Sequence, residues 1–193
     1  MARIKTFDPT SAIDRAMRLF WRQGYEATSI QELVDALGIG RGSLYDTFGD
    51  KHSLFLASLD RYSDMAFAML MPPLKSEGPV RDALHEVFER VLNLATAPSH
   101  PPGCLMTNTL VELGLRDADV AQRILVNYQQ LESALITMLR RGQETGEIPS
   151  RHTASVLARF LLTTMQGLRV LAKAQPDRAL LEDVISVALT TLA

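Results

Sequence analysis

From Asp8 to Leu192, apolar residues recur at helical three- and four-residue spacing, and no stretch alternates apolar with polar as a half-buried strand does. A chain with that one period can bury its apolar residues only as helices packed on helices. The punctuation agrees. Asp8-Pro9 supplies an N-cap and a proline at the first helical position, and Ile13, Ala16, Met17 and Phe20 follow one face to Gly24. Ser29 and Glu32 form a capping-box pattern ahead of Leu33, Val34 and Leu37, and Gly38 ends that helix. Further helices are expected over 40–48, from Lys51 to about Met71, and over 80–97, 104–113, 117–146, 152–174 and 177–192. Pro72–Pro79 and Pro98–Gly103 are the expected breaks. The expectation is an all-α chain of about nine helices.

Charge and composition exclude several functions. The formal net charge is −2 and the isoelectric point about 6.1, so bulk charge supplies no attraction for nucleic acid. Residues 1–55 carry seven positive and seven negative side chains. The single cysteine, Cys104, rules out a disulfide within the chain and favours a reducing compartment. The first ten residues lack the apolar core of a signal peptide, and no apolar run approaches the ~20 residues of a membrane span. These features set the expectation of a cytoplasmic protein without a membrane segment. Ser43 is not in a G-x-S-x-G context, and no H-E-x-x-H, Walker A or G-x-G-x-x-G run occurs. The histidines at 52, 85, 100 and 152 have no metal-ligand spacing. Neither enzyme chemistry nor a cofactor or metal is expected.

Thr28 to Lys51 carries the most information. Two short helices joined by a tight glycine turn match a helix-turn-helix. Ile30, Leu33, Val34, Leu37, Ile39, Leu44 and Phe48 can form one small core beneath it. Gly42 and Asp46 then face outward, flanked by Ser43 and Tyr45. Short and polar residues there suit a helix entering a major groove about 12 Å wide.

The run "RLFWRQGYEATSIQELVDALGIGRGSLYDTFGDKHSLF", within residues 12–55, resembles the DNA-binding domain of the TetR-type (tetracycline-repressor-like) transcriptional regulators. Gly24-Tyr25, Thr28-Ser29, "ALGIGRGSLYDTF" and Lys51 fall in register with it. The resemblance implies a three-helix DNA-binding domain at 1–55, followed by a larger ligand-binding and dimerisation domain at 56–193. It also implies that Thr28 and Ser29 cap the positioning helix and touch phosphate. Arg41, Gly42, Ser43 and Asp46 would face base edges, Tyr45 and Thr47 would brace the backbone, and Lys51 would contact phosphate. Arg3 and Lys5 would form an arm along the duplex. Asp46 departs from the family's usual aromatic or neutral residue. A carboxylate is repelled by phosphates yet can accept from cytosine N4. The partners implied are a near-palindromic double-stranded operator, a second copy joined through about 152–192, and a small-molecule effector.

The remaining residues leave alternatives open. The wide apolar stripes of the last two helices fit either ordinary packing or a subunit interface. Met65, Met69, Phe88, Phe160 and Met165 fit core packing or the wall of an adaptable pocket. Asn108, Glu112, Tyr128, Gln166 and Arg169 are polar residues on otherwise apolar helices, suited to orienting a ligand. Cys104 at a helix start is either a small buried hydrophobe or a sensor thiol with His100 nearby in sequence. The leading expectation is a ligand-responsive homodimeric repressor released by a small apolar or amphipathic molecule. The alternative is a helical small-molecule binding protein whose helix-turn-helix no longer engages DNA.

Overall fold

The computed structural model describes residues 7–192, and among them it contains nine α-helices and no strand. They are α1 (Pro9–Gln23), α2 (Ile30–Leu37), α3 (Arg41–Phe48), α4 (Lys51–Leu74), α5 (Val80–Thr96), α6 (Leu105–Leu113), α7 (Ala118–Glu144), α8 (Ala154–Ala174) and α9 (Arg178–Thr190). The expected arm residues Arg3 and Lys5 lie outside the described residues.

Local chemistry starts most of these helices. The side chains of Asp8, Ser29, Asp50, Asp117, Thr153 and Asp177 each accept a backbone N–H in the first turn that follows. Ser29 and Glu32 close a reciprocal capping box at α2. Gly38 ends α2 in the left-handed region at φ 66°, where a side chain would be strained.

One expected break moves. α4 continues through Pro72 and Pro73 to Leu74 instead of stopping near Met71. Both prolines sit in the last turn, so little helix beyond them loses hydrogen bonds, and Lys75 N still reaches Met71 O. The connection is therefore only Lys75–Pro79. Arg141 holds it by donating to the carbonyls of Ser76 and Gly78.

The buried side chains form two clusters. One fills the C-terminal bundle, where α5, α7, α8 and α9 meet around Leu84, Phe88, Leu135, Leu161 and Met165. The other belongs to the N-terminal end. It joins Phe20, Leu33, Leu37, Leu44 and Phe55 to Leu105, Met106 and Leu113 of α6 and to Val120 and Ile124 of α7. α4 runs past both, and the expected division at residue 55 falls inside it. No helix among the described residues is long and apolar enough to cross a membrane.

Glu32 offers a test of the capping box. The Ser29 backbone N–H, then Gln23 and the Ser29 hydroxyl, bring its carboxyl from the ordinary 4.5 down to about 2. A carboxylate with a depressed native pKa adds stability above its unfolded value, and that stability is lost as pH falls through the native one. Urea midpoints of wild type and Glu32→Gln should therefore differ most at neutral pH and converge between about pH 4.5 and 2.

Candidate nucleic-acid interface and effector cavity

The helix-turn-helix presents a small polar face. Arg41, Gly42, Tyr45 and Asp46 are exposed on α3, whereas Leu44 is fully buried beneath them. Neither Arg41 nor Asp46 bonds to another described side chain, so both are available to a partner. A Cβ built on Gly42 meets nothing within 4 Å, which leaves the space above α3 open to a groove wall. Ser43 and Thr47 are half-buried on the flank of the helix.

One expected contact needs revision. Thr28 is fully buried and its hydroxyl donates to Gly24 O at 2.6 Å, so it closes the loop after α1 and does not face a phosphate. Ser29 alone caps α2, and it stays exposed. Lys51 is half-buried, with Nζ 4.3 Å over the Tyr25 ring, a cation–π contact that fixes it beside the loop.

Three links fasten this head to the rest of the molecule. Glu112 of α6 accepts from Tyr25 N at 3.1 Å and from Glu26 N at 2.8 Å. The carboxylate comes so near that a Cβ on Gly24 would lie 2.8 Å from it, and Gly24 is already at φ 88°. His52 Nε2 of α4 lies 2.7 Å from the Asp117 carboxylate that caps α7. Arg61 of α4 pairs with Asp14 of α1 at 2.7 Å.

Behind α1 lies a half-open apolar cavity of about 400 Å³. Its walls are Trp21 of α1, Tyr62, Met65, Ala66 and Met69 of α4, Arg90, Asn93 and Leu94 of α5, and His100 of the following loop. Met65 and Met69 are thus where a pocket reading puts them. Phe88 and Met165 pack in the C-terminal core instead, and Phe160 is 41 % exposed on α8. Bulky apolar residues at helical spacing carry the same signature in all three places. The remaining wall escaped sequence reasoning because Trp21 continues the apolar face of α1, where it reads as head core.

Next to the cavity sits a buried polar cluster. Tyr62 OH donates to Cys104 Sγ at 3.3 Å, and Arg169 Nη1 donates to the same sulfur at 3.5 Å. Thr107 Oγ1 donates to Gln166 Oε1 at 2.6 Å and lies 3.4 Å from Tyr128 OH. Burial pushes the Cys104 thiol up, but Arg169, Tyr62 and Thr107 outweigh it and leave the thiol below its ordinary value. Tyr62 is held well above its ordinary value, by burial first and then by the Cys104 sulfur. The cluster brings together Cys104, Tyr128 and Gln166, all expected as ligand residues. Asn108 lies apart, in a cleft between α1 and α6, where Lys173 reaches it at 3.5 Å.

The fold is shared with known proteins. Residues 12–58 match the family model described as bacterial regulatory proteins, tetR family, and residues 80–188 match the tetracyclin repressor-like C-terminal domain. The chain belongs to the tetR family. An HTH-type transcriptional repressor, ComR of Escherichia coli (strain K12), is 38 % identical over 98 % of this chain and 90 % of its own. The uncharacterised HTH-type transcriptional regulator YezE of Bacillus subtilis (strain 168) is 35 % identical over the full length of both. Among solved structures, the regulator CifR, a cysteine mutant complexed with 26-base-pair operator DNA, superposes with TM-score 0.90 at 28 % identity. The alignment covers 99 % of this chain and 100 % of that one.

Glu112→Ala removes two charge-assisted acceptors from the loop after α1, each worth about 1 kcal/mol or somewhat more. The Tyr25 and Glu26 amides should then exchange with solvent at least several-fold faster, with the α5 amides unchanged, as read by hydrogen exchange.

Proposed function

We propose that this protein is a homodimeric transcriptional repressor that binds a two-fold symmetric DNA operator through α3 and leaves it when a small apolar or amphipathic molecule binds. The observation that carries the reading is the free, exposed face of α3, in which Arg41 and Asp46 stand on either side of open space at Gly42. Arg41 pairs with guanine in the bidentate manner that the guanidinium fork allows, and Asp46 accepts from a cytosine amino group. Ser29, at the exposed N-terminus of α2, and Lys51 meet phosphates. Tyr45 and the half-buried Ser43 and Thr47 line the edge of the contact. The protein works in the cytoplasm as a binding protein, not an enzyme.

Dimerisation follows from α8 and α9. Val156, Phe160 and Leu171 are 50 %, 41 % and 54 % exposed along one stripe of α8, and Leu180, Val184 and Val187 continue the apolar surface on α9. A second copy covers it by the same patch, as a two-fold interface requires. The pairing matters for affinity. The head carries balanced charge, so phosphate neutralisation alone binds it weakly, and two linked heads on successive half-sites supply the rest.

Effector response has a direct route. Trp21 is a wall of the cavity and a residue of the head's first helix. An occupant that shifts Trp21 or Tyr62 moves α1 against α4. A few kcal/mol of preference for the altered spacing of the heads is enough to release DNA.

Selection from a random duplex pool at about 0.1 M salt should enrich a symmetric site whose affinity falls only shallowly with added salt, because few cations of the head meet phosphates. Arg41→Ala should lose about 1–3 kcal/mol at one guanine position in each half-site. Asp46→Ala should relax discrimination at one cytosine position, and uniform weakening on every sequence would contradict its assigned role. Absence of any enriched site from a folded dimer would instead favour a binding protein with an idle head.

A further inference from the structure

Three buried side-chain atoms have no hydrogen-bond partner among the described residues: Trp21 Nε1, Gln166 Nε2 and Arg169 Nη2. All three are donors. They also belong to one connected group. Trp21 meets the Tyr62 ring edge-on at 4.9 Å, and Tyr62 reaches Arg169 through the Cys104 sulfur. Gln166 and Arg169 stand three residues apart on one face of α8.

The group is short of acceptors and of negative charge. Arg169 is 5 % exposed. Burial works against its charge, but Cys104, Tyr62 and Tyr128 outweigh that and keep it firmly protonated. No carboxylate among the described residues bonds to it. The Cys104 sulfur engages one terminal nitrogen of the guanidinium and leaves the other bare. A buried guanidinium normally has an anion across its fork, because leaving it unpaired is costly. Tyr62 stands between this group and the apolar cavity: its ring is cavity wall and its hydroxyl is part of the polar group.

Building on the effector-responsive reading above, we infer that the effector is an amphipathic carboxylate. Its apolar body fills the cavity against Trp21, Met65 and Met69. Its carboxylate displaces the Tyr62 hydroxyl and accepts from Arg169 Nη2 and Gln166 Nε2. That movement breaks the Tyr62–Cys104 contact and shifts the ring against which Trp21 of the head is packed. The binding event and the head then share one aromatic contact.

Trp21 is the chain's one tryptophan, so its emission reports this site alone. The full-length protein is titrated at neutral pH with decanoate against 1-decanol, and with 4-phenylbutyrate against 4-phenylbutanol. Operator binding is followed in parallel. The carboxylate of at least one pair should bind about tenfold or more tighter than its alcohol, as a charge-assisted hydrogen bond implies, and should release DNA. Arg169→Met should abolish the preference while keeping alcohol affinity, and Arg169→Lys should retain part of it. Should Arg169→Met fail to fold, Gln166→Leu carries the test through a smaller loss of preference. Equal affinity for acid and alcohol, a preference surviving in Arg169→Met, or no binding by wild type that still holds its operator would each overturn the inference. The last outcome leaves DNA recognition intact, whereas loss of an Arg41-dependent operator would strike the regulator reading instead.

Discussion

The head of this molecule is too small to bury a core by itself, and everything else follows from where it borrows the rest. About forty-five residues of three short helices leave most of their apolar surface in water. Here the deficit is met by α4, by Leu105, Met106 and Leu113 of α6, and by Val120 and Ile124 of α7. The DNA-facing helix is consequently not an appendage on a linker. Leu44, which aims α3, belongs to the same buried cluster as Cys104. Packed interiors transmit displacement because they have little free volume to absorb it. A repacking around α6 therefore cannot stay local.

Glu112 converts that packing into a defined attachment. α6 begins at Cys104, in the polar cluster beside the cavity, and near its other end Glu112 holds the amides of Tyr25 and Glu26. The helix is nine residues long, a short rigid span from the buried polar cluster to the loop that precedes α2. Gly24 lets the carboxylate approach, since any side chain there would both clash with Glu112 and strain the backbone. The Gly24-Tyr25 pair thus has a mechanical role that a turn signal alone does not reveal.

The parts legible in the sequence were those governed by short-range rules. Helix period, caps and glycine stops placed all nine helices to within a few residues, because each depends on neighbours three or four positions away. The outward set on α3 was legible for the same reason, being a helical wheel anchored by Leu44. Long-range facts were not. Thr28 looks like a capping threonine until its hydroxyl is seen to turn inward to Gly24 O. Phe88, Phe160 and Met165 share one signature but lie in core and on surface. Trp21 and Tyr62 meet across forty residues of chain, and no local pattern announces a cavity between them. Arg169 was visible as an odd cation on an apolar helix, but its lack of a carboxylate partner emerges only from the packing.

The charge balance of the head fits this division of labour. A strongly basic head would bind any duplex tightly, and a small change in spacing would then alter occupancy little, since phosphate attraction tolerates displacement. With seven charges of each sign in residues 1–55, the proposed recognition draws its affinity from base-edge contacts and from two heads engaging together. Such contacts fail over a fraction of the groove's width. In the proposed mechanism a modest shift of α1 against α4, driven from the wall shared by Trp21 and Tyr62, would then be sufficient for control. The proposed role of Asp46 pushes the same way: repulsion from phosphate would lower binding at every wrong sequence, while a correctly placed cytosine would compensate it. Weak general attraction is what makes the coupling effective.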